Sequence, residues 1–367
     1  MSVLRPRPPE DPLAYDSGGW SPGPLADRLA AIRDRLVAAP GHLDLAARTL
    51  DEYDTRRPES RLFAILSAAR RIRDGVDRVV IVAGGSIGPA GRLLSASCCH
   101  PLHDQLTRGE RGGRPRLSWL DGRSDNDALQ GLLDLIAPPG GPRHDDLLER
   151  WTLLPVAAPP AEPRQAALVT LLLDRLAGDR APPADRVVPI AADLPAGRAL
   201  VGSLDCPLRF CAEQDLGSPA GVFTAGGLLP AAVAGIDVVQ LLKGAAAMLR
   251  RFAEAPLAEN PAIAAGAIAS EAAHSGRAAG RLFLGDAAWV AAFGEWHAAV
   301  RPAAPGAAAV VTRVGWGESR RDRIVEPPPV TAPATVGLPR VDEHALGQLL
   351  QLLMLSTAVE RLLGDAV

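Results

Sequence analysis

From residue 78 to residue 191 the chain repeats one pattern: a short strand-like run rich in apolar residues, then a longer stretch with helical periodicity. The first run, Arg78–Ala83 (RVVIVA), stops at Gly84-Gly85-Ser86 and is followed by IGPAGRLL. Continuous apolar runs bounded by turn residues mark strands buried on both faces, and parallel neighbours need helical crossovers between them. The pattern predicts strands over 78–83, 116–120, 152–157 and 186–191. It predicts helices from about Pro89, over 125–136 and over 163–177. Such an alternation restricts this region to a parallel sheet covered by helices on both faces.

The flanking regions differ. Residues 1–24 are rich in Pro and Gly and suggest a loose arm. Helical spacing recurs over 25–47 and 60–74, then over 226–254 and 260–277. Strands of a second sheet are expected at 281–285 and 307–311, an extended linker at 326–330, and a final helix over 343–363. Asp237 suits the N-cap of the helix that follows the break at Gly235-Ile236. A chain of 367 residues is long for one small domain, so two α/β lobes are expected, with a boundary near residue 230. The expected blocks are an N-terminal arm and helices (1–60), a first subdomain (61–230), and a second subdomain ending in a helix (231–367).

Composition removes several function classes. The net charge is −3 and no basic face stands out, so no nucleic-acid partner is expected. No apolar run reaches the length of a membrane span, and MSVLRPRPPE lacks a signal-peptide core, which points to a cytoplasmic protein without a membrane partner. Four cysteines are too few for a disulfide scaffold. Cys98-Cys99-His100 and His103, with Cys206 and Cys211, match no zinc spacing, so no metal is expected. The positive charge is nearly all arginine, because Lys243 is the single lysine.

Longer words then point to a family. GLLPAAVAGIDVVQLLKGAAAM (227–248) resembles the helix pair of phosphoglucose isomerases, the glucose-6-phosphate isomerase family. AENPAIAAGAI (258–268), LGDAAWVAAFGEWHAAV (284–300), VVIVAGGSIGP and HALGQLLQLLMLSTAVERLLG (344–364) resemble further segments of that family, in the family's order. The chain looks like a divergent, shortened member with most catalytic motifs altered. The resemblance implies an α/β fold in three α/β/α layers, with two sugar-isomerase subdomains, each a mainly parallel sheet between helices. It also implies interconversion of glucose 6-phosphate and fructose 6-phosphate without cofactor or metal, in a homodimer.

That chemistry moves a proton between C1 and C2 through an enediol. It needs a carboxylate base, a cation near the enediolate, an acid/base pair for ring opening and a phosphate cradle. By resemblance, Gly84, Gly85 and Ser86 match a substrate loop, and Gly217 matches the first glycine of the family's G-G-R loop, where Ser218 and Pro219 replace Gly-Arg. The same GGS turn also suits a plain strand-to-helix connection. The segment aligned to the hydroxyl-rich phosphate loop reads Ala158-Pro-Pro-Ala-Glu-Pro163. It has lost its hydroxyls and lysine, and Arg164 follows one step late. Arg209 is a possible substitute cation. Gly317-Glu318-Ser319 spells G-E-S, which makes Glu318 a candidate base; the competing placement treats it as part of a later strand. His344 in H-A-L-G-Q is a candidate ring-opening histidine; it also fits the start of the final helix. Lys243 lies far upstream of the position of the family's catalytic lysine. Two functions follow as alternatives: isomerisation of the two hexose phosphates, or binding of a sugar phosphate or protein partner without turnover.

Overall fold

In the computed structural model the described residues are 12–121, 124–136, 147–157, 163–178, 183–202, 204–211, 213–276, 280–285, 287–301, 309–318 and 334–364. The expected linker at 326–330 and the segment 158–162 lie outside them. The elements run β1 (Ala14–Asp16), α1 (Ala26–Ala38), α2 (Leu45–Thr55), α3 (Arg61–Gly75), β2 (Arg78–Ala83), α4 (Ile87–Cys98), β3 (Arg116–Leu120), α5 (Asn126–Ile136), β4 (Trp151–Ala157) and α6 (Pro163–Ala177). There follow β5 (Ile190–Ala191), α7 (Leu194–Val201), α8 (Ala225–Val233), α9 (Val238–Glu254), α10 (Pro261–His274), β6 (Gly280–Leu284), α11 (Ala288–Val300), β7 (Ala309–Glu318), β8 (Ala334–Arg340) and α12 (Glu343–Gly364). Two compact units result. One is Arg48–Val238 with Glu295–Val300; the other joins Met1–Ala47, Val239–Gly294 and Arg301–Val367.

The first unit is built on a four-stranded parallel sheet of order β3-β2-β4-β5. Its centre is β2, where Val79, Val80, Ile81 and Val82 are all fully buried. Burying each contributes roughly 1.5–3 kcal/mol. Val80 and Val82 face α5 and α6, meeting Leu132, Leu133, Ile136, Leu168, Val169 and Leu172. Side chains alternate along a strand, so Val79 and Ile81 point to the opposite face, where α4 packs on β2 and β3 and α8 packs on α3 and α4. Ser60 starts α3 by accepting the N–H of Phe63 at 3.2 Å.

At the amino end of β2, Asp77 is buried (1% exposed) among three arginines. Its Oδ1 accepts from Arg108 at 3.1 Å and Arg111 at 2.5 Å, and its Oδ2 from Arg116. Arg111 is fully buried and also donates to the Arg114 and Leu106 carbonyls. One carboxylate thus pins the 106–116 segment to the sheet.

The second unit holds the sheet β1-β8-β7-β6, parallel from β6 to β8 and antiparallel at β1. Residues 14–16 are therefore no loose arm. Leu13 is fully buried; its N–H donates to Gln348 Oε1 at 3.0 Å, and its carbonyl accepts from Arg251 at 2.5 Å. Asn260 caps α10 by accepting from Ala262 and Ile263, and its amide reaches back to the Phe252 carbonyl at 2.8 Å. Arg281 of β6 and Arg301 share Glu360 of α12.

Three further expectations are corrected. The helical region 25–47 breaks at Pro40-Gly41, where a 3₁₀ turn over Gly41–Asp44 separates α1 from α2. The run 186–191 yields only the two-residue β5, with Val187 making a lone bridge to Leu153. Strand β7 runs on to Glu318, beyond the expected 311. Among the described residues no helix is long and apolar enough to cross a membrane.

Candidate functional site

Order β3-β2-β4-β5 means that the chain leaves β2 toward β3 on one side, then returns across β2 to β4 on the other. The carboxyl ends of β2 and β4 are therefore the switch point of the sheet, where open α/β sheets place ligands. The turn that leaves β2 there is Gly84-Gly85-Ser86. Gly85 has φ +60° and open space where a side chain would begin, so this tight reversal is one that glycine adopts without strain. Gly84 and Ser86 are buried while Gly85 is exposed. Ser86 is the N-cap residue of α4, but its hydroxyl does not cap the helix. It donates instead to the Ser218 carbonyl at 3.4 Å.

That contact brings a second loop to the turn. The 213–218 segment folds on itself: Leu216 N–H donates to the Glu213 carbonyl at 3.0 Å, and Ser218 N–H to the Asp215 carbonyl at 3.0 Å. Ser218 Oγ donates to the Asp215 carbonyl at 2.8 Å and accepts from Ala220 N–H at 3.2 Å. Gly217 is exposed at the tip. A side chain at Gly221 would sit 2.5 Å from the Leu216 carbonyl and 2.7 Å from Ile87 Cδ1, so glycine there lets this segment lie against the start of α4. The structure thus brings together Gly84, Gly85, Ser86 and Gly217.

Charges surround both loops. Glu213 is buried (1% exposed), 3.3 Å from Arg61. Burial pushes its carboxyl up, while Arg61 and the Ala225 N–H pull it down. Asp215 lies 3.8 Å from Arg48. Where β3 ends, Asp121 takes two bonds from Arg92, at 3.2 and 3.3 Å. Arg164, at the start of α6, donates to the Ser124 carbonyl at 2.5 Å. Next to it, the buried Gln165 amide donates to the Val82 carbonyl at 3.1 Å and the Val156 carbonyl at 2.5 Å, stitching the ends of β2 and β4. Gln165 and Glu213 are absent from the sequence-based set. Gln165's position in the first turn after a strand-end loop was the available signal; for Glu213 there was none.

The remaining candidates lie on other elements. Arg209 pairs with exposed Asp205 at 3.3 Å. Glu318 closes β7, in register with Arg340 of β8, and belongs to the second unit. His344, also in the second unit, lies in the first turn of α12, buried, with Nδ1 3.2 Å from the Gln348 amide nitrogen. Lys243 is exposed on α9. Among the described residues no group of three or more His, Cys, Asp or Glu is placed to hold a metal. All four cysteines are free thiols, and burial pushes Cys206 up to about 11.

No protein-family model matches the chain. Solved structures share the fold. A hypothetical protein from Thermus thermophilus superposes with a TM-score of 0.68 at 18% identity, covering 96% of this chain and 94% of its own. A glucose-6-phosphate isomerase from Chlamydia trachomatis superposes at 0.59 and 10% identity, covering 82% and 68%. The fold is that of the sugar isomerases, with two subdomains, each a mainly parallel sheet between helices. Sequence relatives narrow it. A glucose-6-phosphate isomerase from Rubrobacter xylanophilus is 31% identical over 244 residues, 65% of this chain and 50% of that protein. One from Symbiobacterium thermophilum is 29% identical over 264 residues, 71% and 53%. The chain is similar in sequence to curated glucose-6-phosphate isomerases at about 30% identity, and it spans about half the length of the relatives it matches.

Proposed function

We propose that this protein binds a sugar phosphate at the carboxyl edge of its first sheet, between the Gly84–Ser86 turn and the Gly217–Ser218 loop. One observation carries the reading: the Ser86 hydroxyl reaches the Ser218 carbonyl and joins the two loops at the switch point. Glycine at the turn permits close approach of an anion, and the unpaired N–H groups at the start of α4 favour negative charge. The names of the relatives support an isomerase-like role.

The finer reading is aldose–ketose interconversion of glucose 6-phosphate and fructose 6-phosphate, with Glu318 as base and His344 opening the ring. What weighs against rapid turnover is the residue set. Ser218 and Pro219 stand where the family pattern has Gly-Arg, and the single lysine is on α9. Loss of acid/base groups alone costs about 10²–10⁴-fold in rate. Ligand binding is therefore the primary reading. A homodimer belongs to the same proposal by family resemblance, and light scattering on the purified protein checks it.

Calorimetric titration with 6-phosphogluconate tests the binding. A millimolar or tighter affinity that falls when Ser86→Val opens the loop contact is the expected result; no binding by the unaltered protein overturns the reading. Conversion of fructose 6-phosphate coupled to NADPH formation tests the chemistry. Turnover abolished by Glu318→Gln would make the protein an isomerase with Glu318 as its base.

A further inference from the structure

Away from the glycine turn, two cavities adjoin along the second half of α4. One, of about 310 Å³, is lined by Arg92, Pro101, Leu102, Leu117 and Trp119 among others. Its neighbour, of about 240 Å³, is lined by Glu110, Arg111, Gly112, Arg114 and Gly235 among others. Cys99, His100, His103 and Ala234 border both, so the two form one groove; Leu102, Leu117 and Trp119 give the first lobe an apolar wall beside its polar residues, and Glu110, Arg111 and Arg114 bring charge to the second.

Each lobe has a group seated on a bare glycine. The Trp119 ring lies on α4 at Gly91, where a side-chain carbon would fall 1.8 Å from Cη2. The Arg114 guanidinium lies over Gly235, whose φ of +83° suits glycine and where a side-chain carbon would fall 2.1 Å from Nε. Most other charges of the walls are spent. Arg111 is held by Asp77 and Arg92 by Asp121. Asp104 accepts the Leu117 N–H at 3.3 Å, and Glu110 accepts the Thr107 N–H and hydroxyl at 2.8 and 2.7 Å. Arg114 has no carboxylate partner among the described residues. His100 Nδ1 accepts the Leu102 N–H at 3.1 Å, which puts a proton on Nε2 and makes it a donor. His103 Nε2 donates to the Pro115 carbonyl at 3.2 Å, which leaves Nδ1 as an acceptor.

The geometry points to a second ligand site here, distinct from the sugar-phosphate reading and not resting on it. It takes a small molecule that joins a planar ring to an oxyanion, of the nucleoside monophosphate class. The ring lies in the first lobe against Trp119 and Leu117, the oxyanion beside Arg114, and the His100 and His103 ring nitrogens supply a donor and an acceptor between them. Aromatic rings favour stacked planar partners, and guanidinium favours phosphate or carboxylate geometry.

Calorimetric titration of the full chain with adenosine 5′-monophosphate, adenosine and inorganic phosphate tests this. The expected result is binding of the monophosphate at least tenfold tighter than of either part. Arg114→Gln, at an exposed position, weakens the monophosphate about tenfold or more and leaves adenosine within twofold. Trp119→Phe, which keeps an aromatic ring on Gly91, weakens monophosphate and adenosine together. The site is overturned if the unaltered protein does not bind the monophosphate, if inorganic phosphate binds as tightly, or if Arg114→Gln leaves the affinity unchanged.

Discussion

Asp77→Asn is the substitution with the largest calculable effect on the first unit. Asparagine keeps the shape, so no cavity opens; what changes is charge. The carboxylate is 1% exposed and faces Arg111 at 0%, Arg108 at 18% and Arg116 at 25% side-chain exposure. For the fully buried partner, opposite charges about 4 Å apart at an effective dielectric of about 20 attract by about 4 kcal/mol. The two half-open arginines add less, because water screens them. The asparagine amide also turns a donor toward three cations. Relief of the carboxylate's own burial offsets part of the loss, and removal of one partner from a buried ion pair typically costs about 3–5 kcal/mol. That is a large fraction of an ordinary domain's stability of about 5–15 kcal/mol. Because the chain has two units, a single melting curve is a poor measure. Hydrogen exchange under increasing urea separates them. Peptides covering β2 and β3 lose about 3–5 kcal/mol of opening free energy, and peptides covering β6 and β8 keep theirs. A loss below about 1 kcal/mol in β2, or an equal loss in both sheets, refutes the reasoning.

The Glu213–Arg61 pair is asymmetric, since Glu213 is 1% and Arg61 40% exposed. Arg61→Met strands a buried carboxylate and costs about 3 kcal/mol, whereas Glu213→Gln frees an arginine that water can solvate and costs about 1 kcal/mol or less; urea unfolding of the two variants checks the order. Glu213 also sets a pH slope. Burial holds its folded pKa above the ordinary 4.5, so its contribution to stability is full below that value and is lost as pH rises through the raised folded value. Unfolding midpoints taken from about pH 4 to 7 decline for the unaltered protein, and Glu213→Gln flattens that decline. Gly221→Ala forces a carbon to 2.5 Å from the Leu216 carbonyl, costs about 1–3 kcal/mol, and weakens 6-phosphogluconate binding by displacing the Ser218 loop.

Where a feature was written locally, it was legible in the sequence. The limits of β2 and β3 follow from short runs, continuous and apolar in β2 and interrupted by Ser118 in β3, that stop at Gly84 and Asp121, and α6 begins at Pro163, a residue suited to a first helical turn. The glycine turn was legible for the same reason. Strand β1 was not. Its three residues alternate exposed and half-buried inside a Pro/Gly-rich segment, and only β8, which also went unrecognised, gives them a partner. The break between α1 and α2 was signalled by Pro40-Gly41, which helical periodicity on both sides concealed. At the site, Gly217 was placed by family spacing. The bond from Ser86 to Ser218 spans 132 residues, and the Gln165 bonds join the ends of two strands. Pairings of this kind depend on the sheet being assembled and leave no local mark.

The antiparallel strand β1 has a consequence for how the molecule is made. Leu13 rests on Gln348, 335 residues later in the chain, and β1 has β8 as its neighbour in the sheet. The first unit needs almost nothing beyond residue 238. On a ribosome adding about 5–20 residues per second, that unit can close while the earliest residues wait on the order of tens of seconds for their partner. Leu13, the first fully buried hydrophobic residue among the described ones, is thus among the last to find its place, and Leu13 and Tyr15 are what a chaperone would meet in the interval.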